Sequence, residues 1–423
     1  MKHRWGLFGL VAAVSFASGA WLTQPHRAAS LEAYRRARVF GQVMDRIADD
    51  YVDPVDEAGL YTEAARHAVQ QLQDPYSDLL VGKDLQAFND QLAGASNVTA
   101  ALPLPAGEGH ASAAAHARLL PGGVGYVELR AMTEGSALEL RAAVDSLRRQ
   151  GMRALVLDLR TNPGGLIDQG VAIAELFLDP GDTVAVIQGR TQRHSRTYVA
   201  DAAQPWPDLP LALLVGPNTA SSAELIAGAL QDDGRATVVG TRTFGKGVVQ
   251  TTYSLAPDVA VKLTTARWYT PHGRSVQRPR VDSLARGAGG AAPQGGLAPD
   301  VVVQPWRPGP GDRALLGALG GDYGAFRDAV EAEARALAAA QDAGVRDARF
   351  VVTPAMRDGL YTRLGDAGFL ISRELFDGAA TLVDRELGYA LARAALGPEG
   401  ELRRRTADDL ELQSAARLLR RAR

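Results

Sequence analysis

A serine, a lysine and a glutamine carry the chemistry that this sequence suggests first. Ser221 lies in Asn218-Thr219-Ala220-Ser221-Ser222-Ala223-Glu224, after the apolar run Leu211–Val215 and before a helical pattern, so it falls at a strand-to-helix corner. Serine in that position often does no more than cap the helix. A hydroxyl at a helix N-terminus also faces unpaired N–H groups and the positive end of the helix dipole, an environment that favours the oxyanion of acyl transfer. A serine nucleophile needs a base, and none of the seven histidines stands in a motif that would supply one. Lysine serves instead when burial among apolar groups lowers its pKa. Lys246, in Thr243-Phe244-Gly245-Lys246-Gly247-Val248-Val249-Gln250, is flanked by glycines and apolar residues rather than by a charged face. Gln250 comes four residues later, which in a strand returns it to the same face as Lys246, where it can hold the amine by a hydrogen bond.

The same stretch has a competing reading. Gly240 to Lys246 matches most of a phosphate-binding loop that follows a strand. The match fails at Gly247, where such a loop needs a magnesium-binding Ser or Thr, and the residues beyond it favour a strand where the loop should open a helix.

These residues must be held by alternating elements. Val124–Leu129, Ala154–Leu159, Thr183–Ile187, Leu211–Val215 and Ala236–Val239 read as strands; Ser136–Gln150, Leu166–Leu178 and Ser221–Leu230 read as helices; Val248–Thr270 is mostly β. Strands that alternate with helices predict an α/β domain, here over residues 119–306. Residues 28–92 read as a helical region, with Val39, Val43, Ile47 and Tyr51 at helical spacing and a break at Tyr51-Val52-Asp53-Pro54. Residues 93–118 are rich in Ala, Gly, Ser and Pro and read as a linker, and Gly, Ala and Pro dominate again from Arg280 to Pro299 as a loop or flap. Residues 307–423 read as helical, ending in a stretch where arginine outnumbers acid, a solvated face or a patch for a partner or for self-association.

Composition narrows the function classes. In 423 residues, 46 Lys and Arg balance 48 Asp and Glu for a net charge of −2, too neutral for a general nucleic-acid binder. The absence of cysteine excludes disulfides, thiolate metal sites and a cysteine nucleophile, and the scattered histidines point to no metal site. Lys2, His3 and Arg4 precede an uncharged apolar run from Trp5 to Leu22. A basic start followed by an apolar stretch predicts export, with residues 1–27 a cleaved signal, or a retained anchor that associates with the membrane through residues 5–22.

In combination these stretches resemble the C-terminal processing, or tail-specific, serine proteases that use a Ser–Lys dyad. The resemblance runs through Val39–Ser77, Asp158-Leu159-Arg160-Thr161-Asn162-Pro163-Gly164-Gly165, Ser221–Asp232, Gly240–Gln250, Thr264–Pro271 and Gly296–Val303, and so covers roughly residues 39–80 and 120–305. It implies a crotonase/Clp-protease-like α/β core and a serine endopeptidase without metal or organic cofactor. Ser221 would attack the scissile carbonyl, Lys246 would be general base and Gln250 would position it. The oxyanion hole would use the backbone N–H of Ser222 and one from Gly164 or Gly165. The substrate would be an extended polypeptide of the periplasm or another extracytoplasmic compartment. There are two departures. The interval from Leu92 to Leu120 is too short for the PDZ domain the family usually carries there. Ala223 also stands where the family often has Ser, which leaves Ser222 as a nucleophile one residue out of register. Rival readings are a protease-fold scaffold that has lost turnover and an acyl-CoA enzyme with a paired N–H oxyanion hole.

Overall fold

The computed structural model describes residues 31–92, 116–279, 294–320, 323–340, 345 and 348–421. The export segment 1–27, residues 93–115 of the expected linker and residues 280–293 of the expected flap lie outside them. The described residues fall into two units: one of residues up to Val81 with Thr252–Thr264, the other of Gly82–Thr251 with Thr265–Arg423. Among the described residues no helix is long and apolar enough to cross a membrane.

The smaller unit begins with α1 (residues 31–50) and α2 (Glu57–Gln70). Helix α2 starts where Asp56 accepts the Gly59 N–H at 3.1 Å, just past the Pro54 break. The helical reading of residues 31–92 needs one correction. Asp78–Val81 is a strand, β1, paired antiparallel with Val259–Lys262 of a second strand, β10 (Val259–Tyr269). Four residues carry too little pattern to reveal a strand whose partner is so distant in sequence. The apolar stripe of α1 has the expected spacing, yet Val39 and Val43 are exposed, as is Tyr51 just past its end.

In the larger unit, α3 (Lys83–Leu92) precedes a sheet of β2 (His116–Leu120), β3 (Val124–Glu128), β4 (Ala154–Asp158), β7 (Leu211–Val215), β8 (Thr237–Gly240) and β11 (Val301–Val302). Their spatial order is β11-β8-β7-β4-β3-β2, parallel throughout except for β2. Helices α4 (Ser136–Arg149), α5 (Ile167–Glu175) and α6 (Ser222–Asp232) lie in the crossovers. β5 (Thr183–Gly189) pairs antiparallel with β6 (Arg196–Val199) and with Ala266–Tyr269 of β10. β9 is Val248–Ala256.

The central strands Ala-Leu-Val-Leu-Asp and Leu-Ala-Leu-Leu-Val are apolar throughout because both faces of the sheet are covered. Leu155, Leu157, Leu211, Leu213 and Val238 face the core built with α4, α5 and α6. The alternate residues Val124, Tyr126, Ala154, Val156, Ala212, Leu214 and Val239 face the other way. There they meet the last helix, α12 (Leu410–Arg421), through Leu412, Ala415, Ala416 and Leu419.

Between β11 and α12 in the sequence, the chain forms a helical bundle with its own core around Phe326, Leu360, Phe376 and Leu387. It comprises α7 (Pro310–Leu319), α8 (Tyr323–Ala339), α9 (Pro354–Asp366), α10 (Arg373–Gly378) and α11 (Ala380–Asp408). Helix α11 kinks at Gly397, whose φ of 73° precedes Pro398. The fold is therefore α/β with helical N-terminal and C-terminal regions.

Candidate active site

The strand-to-helix corner after β7 is built by side chains of its own loop. Thr219 Oγ1 accepts the Gly216 N–H at 2.9 Å and donates to Leu159 O at 2.7 Å, tying the loop to the end of β4. Ser221 follows with φ 55° and ψ −122°, one of two described non-glycine residues at positive φ. That conformation costs about 1–3 kcal/mol and persists only where neighbours enforce it, as happens at functional corners. Ser221 stands at the N-cap of α6, where its N–H meets the Glu224 carboxylate as in a capping box, so capping is one of its roles, but its hydroxyl makes no hydrogen bond to the helix backbone among the described residues. Ser222 begins the helix and is 1% exposed, against 8% for Ser221; its hydroxyl is buried without a hydrogen-bond partner among the described residues. A methyl group on Gly170 would come within 2.9 Å of Ser222 Cβ, so the two elements are packed closely there.

Glu224 does what the Ser221 hydroxyl does not. Its carboxylate accepts four hydrogen bonds: Oε1 from the Thr243 hydroxyl (2.5 Å) and the Gly245 N–H (2.7 Å), Oε2 from the Ser221 N–H (2.9 Å) and the Lys246 N–H (2.8 Å). Burial pushes this carboxyl above the usual range, opposed by the Thr243 hydroxyl and the three amides. The backbones of residues 221 and 246 thus meet on one oxygen. Lys246 is anchored from its other side too, because the buried Trp268 donates Nε1–H to its carbonyl at 3.1 Å. Next to it, the Gly247 N–H donates to Gln277 Oε1 at 2.9 Å. The lysine is half-buried, less enclosed than the sequence reading expected. It lies in the stretch between β8 and β9, and Gln250 lies in β9, also half-buried.

The glycine turn after β4 is registered on the corner by Asn162, which is fully buried. Its Nδ2 donates to Leu129 O at 2.8 Å, its Oδ1 accepts the Gly164 N–H at 2.8 Å and its backbone carbonyl accepts the Ala220 N–H at 3.0 Å. Gly164 (φ 94°) lies directly against the serine: a Cβ there would stand 2.7 Å from Ala220 O and 2.8 Å from Ser221 Cβ. At Gly165 (φ 146°) a Cβ would be 2.2 Å from Met132 O. Both positions therefore require glycine. The Gly164 N–H is turned to Asn162, whereas the N–H groups of Gly165 and Ser222 have no hydrogen-bond partner among the described residues.

The arrangement gives a strained hydroxyl corner, a lysine whose backbone is fixed beside it, and two unpaired amides. A sequence profile described as Peptidase family S41 matches residues 123–284, which include every residue of this arrangement. Residues 123–284 are a peptidase family S41 domain. Relatives of the S41 domain include a carboxy-terminal-processing protease of Bartonella bacilliformis, 37% identical over 187 residues, which covers 43% of this chain and 39% of that one. A carboxyl-terminal-processing protease of Picosynechococcus is 41% identical over 148 residues, 35% of each chain. The chain thus spans well under half the length of these curated relatives. Among solved structures, the photosystem II D1 C-terminal processing protease is 33% identical, covering 44% of this chain and 45% of its own with a TM-score of 0.36.

Within the S41 domain, sequence reasoning named Ser221, Lys246, Gln250, Ser222, Gly164 and Gly165. Glu224, Asn162, Thr243 and Trp268 stand in the same motifs with no task that the sequence alone assigns. Each does its work through a partner distant in sequence, and an Asn, Thr or Trp of this kind has no local signature. Glu224 alone had a signal, since it stands three residues after Ser221, the spacing of a capping box.

Proposed function

We propose that this chain is an exported serine endopeptidase that cuts extended polypeptides of the cell envelope through a Ser221–Lys246 dyad. The observation that carries the reading is the Glu224 carboxylate bonded to the backbone N–H of both residues. In the reaction, the neutral Lys246 amine takes the Ser221 proton as Oγ attacks the scissile carbonyl, and Gln250 orients the amine. The proton then passes to the leaving amine, and water repeats the sequence on the acyl-enzyme. The negative oxygen of each tetrahedral intermediate is received by the N–H groups of Ser222 and of the Gly164-Gly165 pair. Of that pair Gly165 is the donor, because Asn162 occupies the Gly164 N–H.

Ser221 is preferred to Ser222 because it alone combines a positive φ with residual exposure. Export, and membrane association through residues 5–22, rest on the basic start and apolar run alone. The exposed Arg403, Arg417, Arg420 and Arg421 are the surface that a partner or second copy would meet on the C-terminal helices.

The test is cleavage of unfolded casein by protein lacking residues 1–27. Wild type should cut, and Ser221→Ala and Lys246→Ala should each lower the rate by about 1000-fold or more. Equal cleavage by wild type and Ser221→Ala would remove the assignment, and a wild type inert towards many unfolded substrates would favour a scaffold. A reporter enzyme fused after residue 30 should be active only outside the cytoplasm.

A further inference from the structure

The base of the glycine turn is gripped from far along the chain. Arg160 lies five residues before Gly165, with its side chain only 21% exposed. Its Nη2 donates to Asp158 Oδ2 at 2.6 Å and to Asp409 Oδ2 at 2.7 Å, and its Nη1 donates to Asp409 Oδ1 at 3.0 Å and to Glu411 Oε2 at 2.7 Å. Asp158 in turn accepts the Tyr126 hydroxyl at 2.8 Å and the Arg160 N–H at 2.9 Å. Three carboxylates therefore surround one guanidinium. Asp409 engages it through two parallel bonds, the most directional way a carboxylate can fix an arginine. Burial by itself would favour neutral Arg160, but Asp158 and Asp409 more than offset it and keep the group charged.

Two of the three carboxylates come from the start of α12, outside the S41 domain. The helix is seated independently on the second face of the sheet by Leu412, Ala415, Ala416 and Leu419. Arg160 is one bond from the turn's own brace. Leu159 O accepts both the Thr219 hydroxyl (2.7 Å) and the Asn162 N–H (3.1 Å), and these residues register Gly164-Gly165 on Ser221. A displacement of Arg160 is transmitted along that path to the oxyanion donor.

We infer that Asp409 and Glu411 are positioning residues for the active site: by clamping Arg160 they fix the Leu159–Gly165 turn against Ser221. The inference rests on the reading of Ser221 as nucleophile. Helix α12 is then a working part of the protease rather than an appendage.

The test variant is Asp409→Asn/Glu411→Gln in the full chain. Asn still caps α12 through the Leu412 N–H, which Asp409 Oδ1 accepts at 2.9 Å, so the helix keeps its start while the clamp loses its charge. Labelling of Ser221 by a fluorophosphonate and kcat for casein should both fall about ten-fold with KM changed less than two-fold. Amide hydrogen exchange in Leu159–Leu166 should rise about ten-fold while β7 keeps its protection. Asp409→Glu should behave as wild type. Leu360→Ala, a lesion in the bundle core that lowers stability, should leave labelling unchanged. Unaltered labelling or unaltered exchange in Leu159–Leu166, or a labelling loss matched by Leu360→Ala, would overturn the inference. If the double variant does not fold, Asp409→Asn alone serves, with a roughly three-fold effect expected and its absence decisive. A wild type that the probe does not label would sink the nucleophile reading, and the exchange result would still decide whether the clamp holds the turn.

Discussion

Four donors converge on Glu224, and an amide of its shape cannot accept them all. In Glu224→Gln one oxygen becomes an NH₂ that faces two other donors. The variant should lose roughly 1–3 kcal/mol of stability for each donor left unsatisfied, and at least 100-fold in casein cleavage as the serine and lysine backbones separate. Urea unfolding monitored beside the cleavage assay checks both. Gly164→Ala should be as damaging to catalysis, since its methyl would collide with Ala220 O and Ser221 Cβ; labelling of Ser221 in a variant that still folds is the measurement, with wild-type labelling counting against the packed turn. The proposed pair, Ser221 and Lys246, could be named from local patterns alone, a serine at a helix start and a lysine between glycines. The brace around them could not, because Thr243, Asn162 and Trp268 act through neighbours in space, and residue type alone does not announce a hydrogen bond across the fold.

The elements that bear the site were readable in proportion to how far their burial is written in consecutive residues. β4 and β7 are unbroken apolar runs and α4 shows a periodic face, while α6 is buried all round from Ser222 to Leu230, so these elements appear in the sequence near their true limits. β1 and β6 were missed because four residues carry little periodicity, and β6 is largely exposed along Arg-Thr-Tyr-Val. The start of β2 was absorbed into an expected linker for a related reason, since its alternation of half-buried and exposed residues follows a long low-complexity stretch. Helix α12 was read as helical, but its place against the sheet was invisible, because the small residues that let it approach, Ala154, Ala212, Ala415 and Ala416, mark contact only once both surfaces are known. Leu412→Ala should cost about 2–5 kcal/mol at that contact. Guanidinium denaturation measures the loss, and a change under about 0.5 kcal/mol, the size expected of a surface substitution, would mean that the helix does not seal the sheet.

At the scale of the whole molecule, buried acids set how stability follows pH. Burial raises the carboxyls of Glu224, Glu386 and Glu411 above their ordinary value of 4.5. A raised acid is held more tightly as its protonated form in the folded chain, so its contribution is fully present below the ordinary value and lost as pH rises through the raised one. The urea midpoint should therefore climb as pH is lowered from about 8 towards about 5. If Lys246 is the base proposed above, cleavage should also fall as the medium is acidified, because a protonated amine cannot take the serine proton. A midpoint that drops steadily towards acid would contradict the first expectation, and a flat rate profile the second. The two-sided sheet has a consequence for timing. Its strands leave the ribosome long before α12, so a growing chain carries one bare apolar face until residues 410–421 arrive. Asp409 and Glu411 belong to that same closing segment, so on the clamp inferred above a chain cut short of residue 409 would lose the cover of the sheet and the grip on Arg160 together.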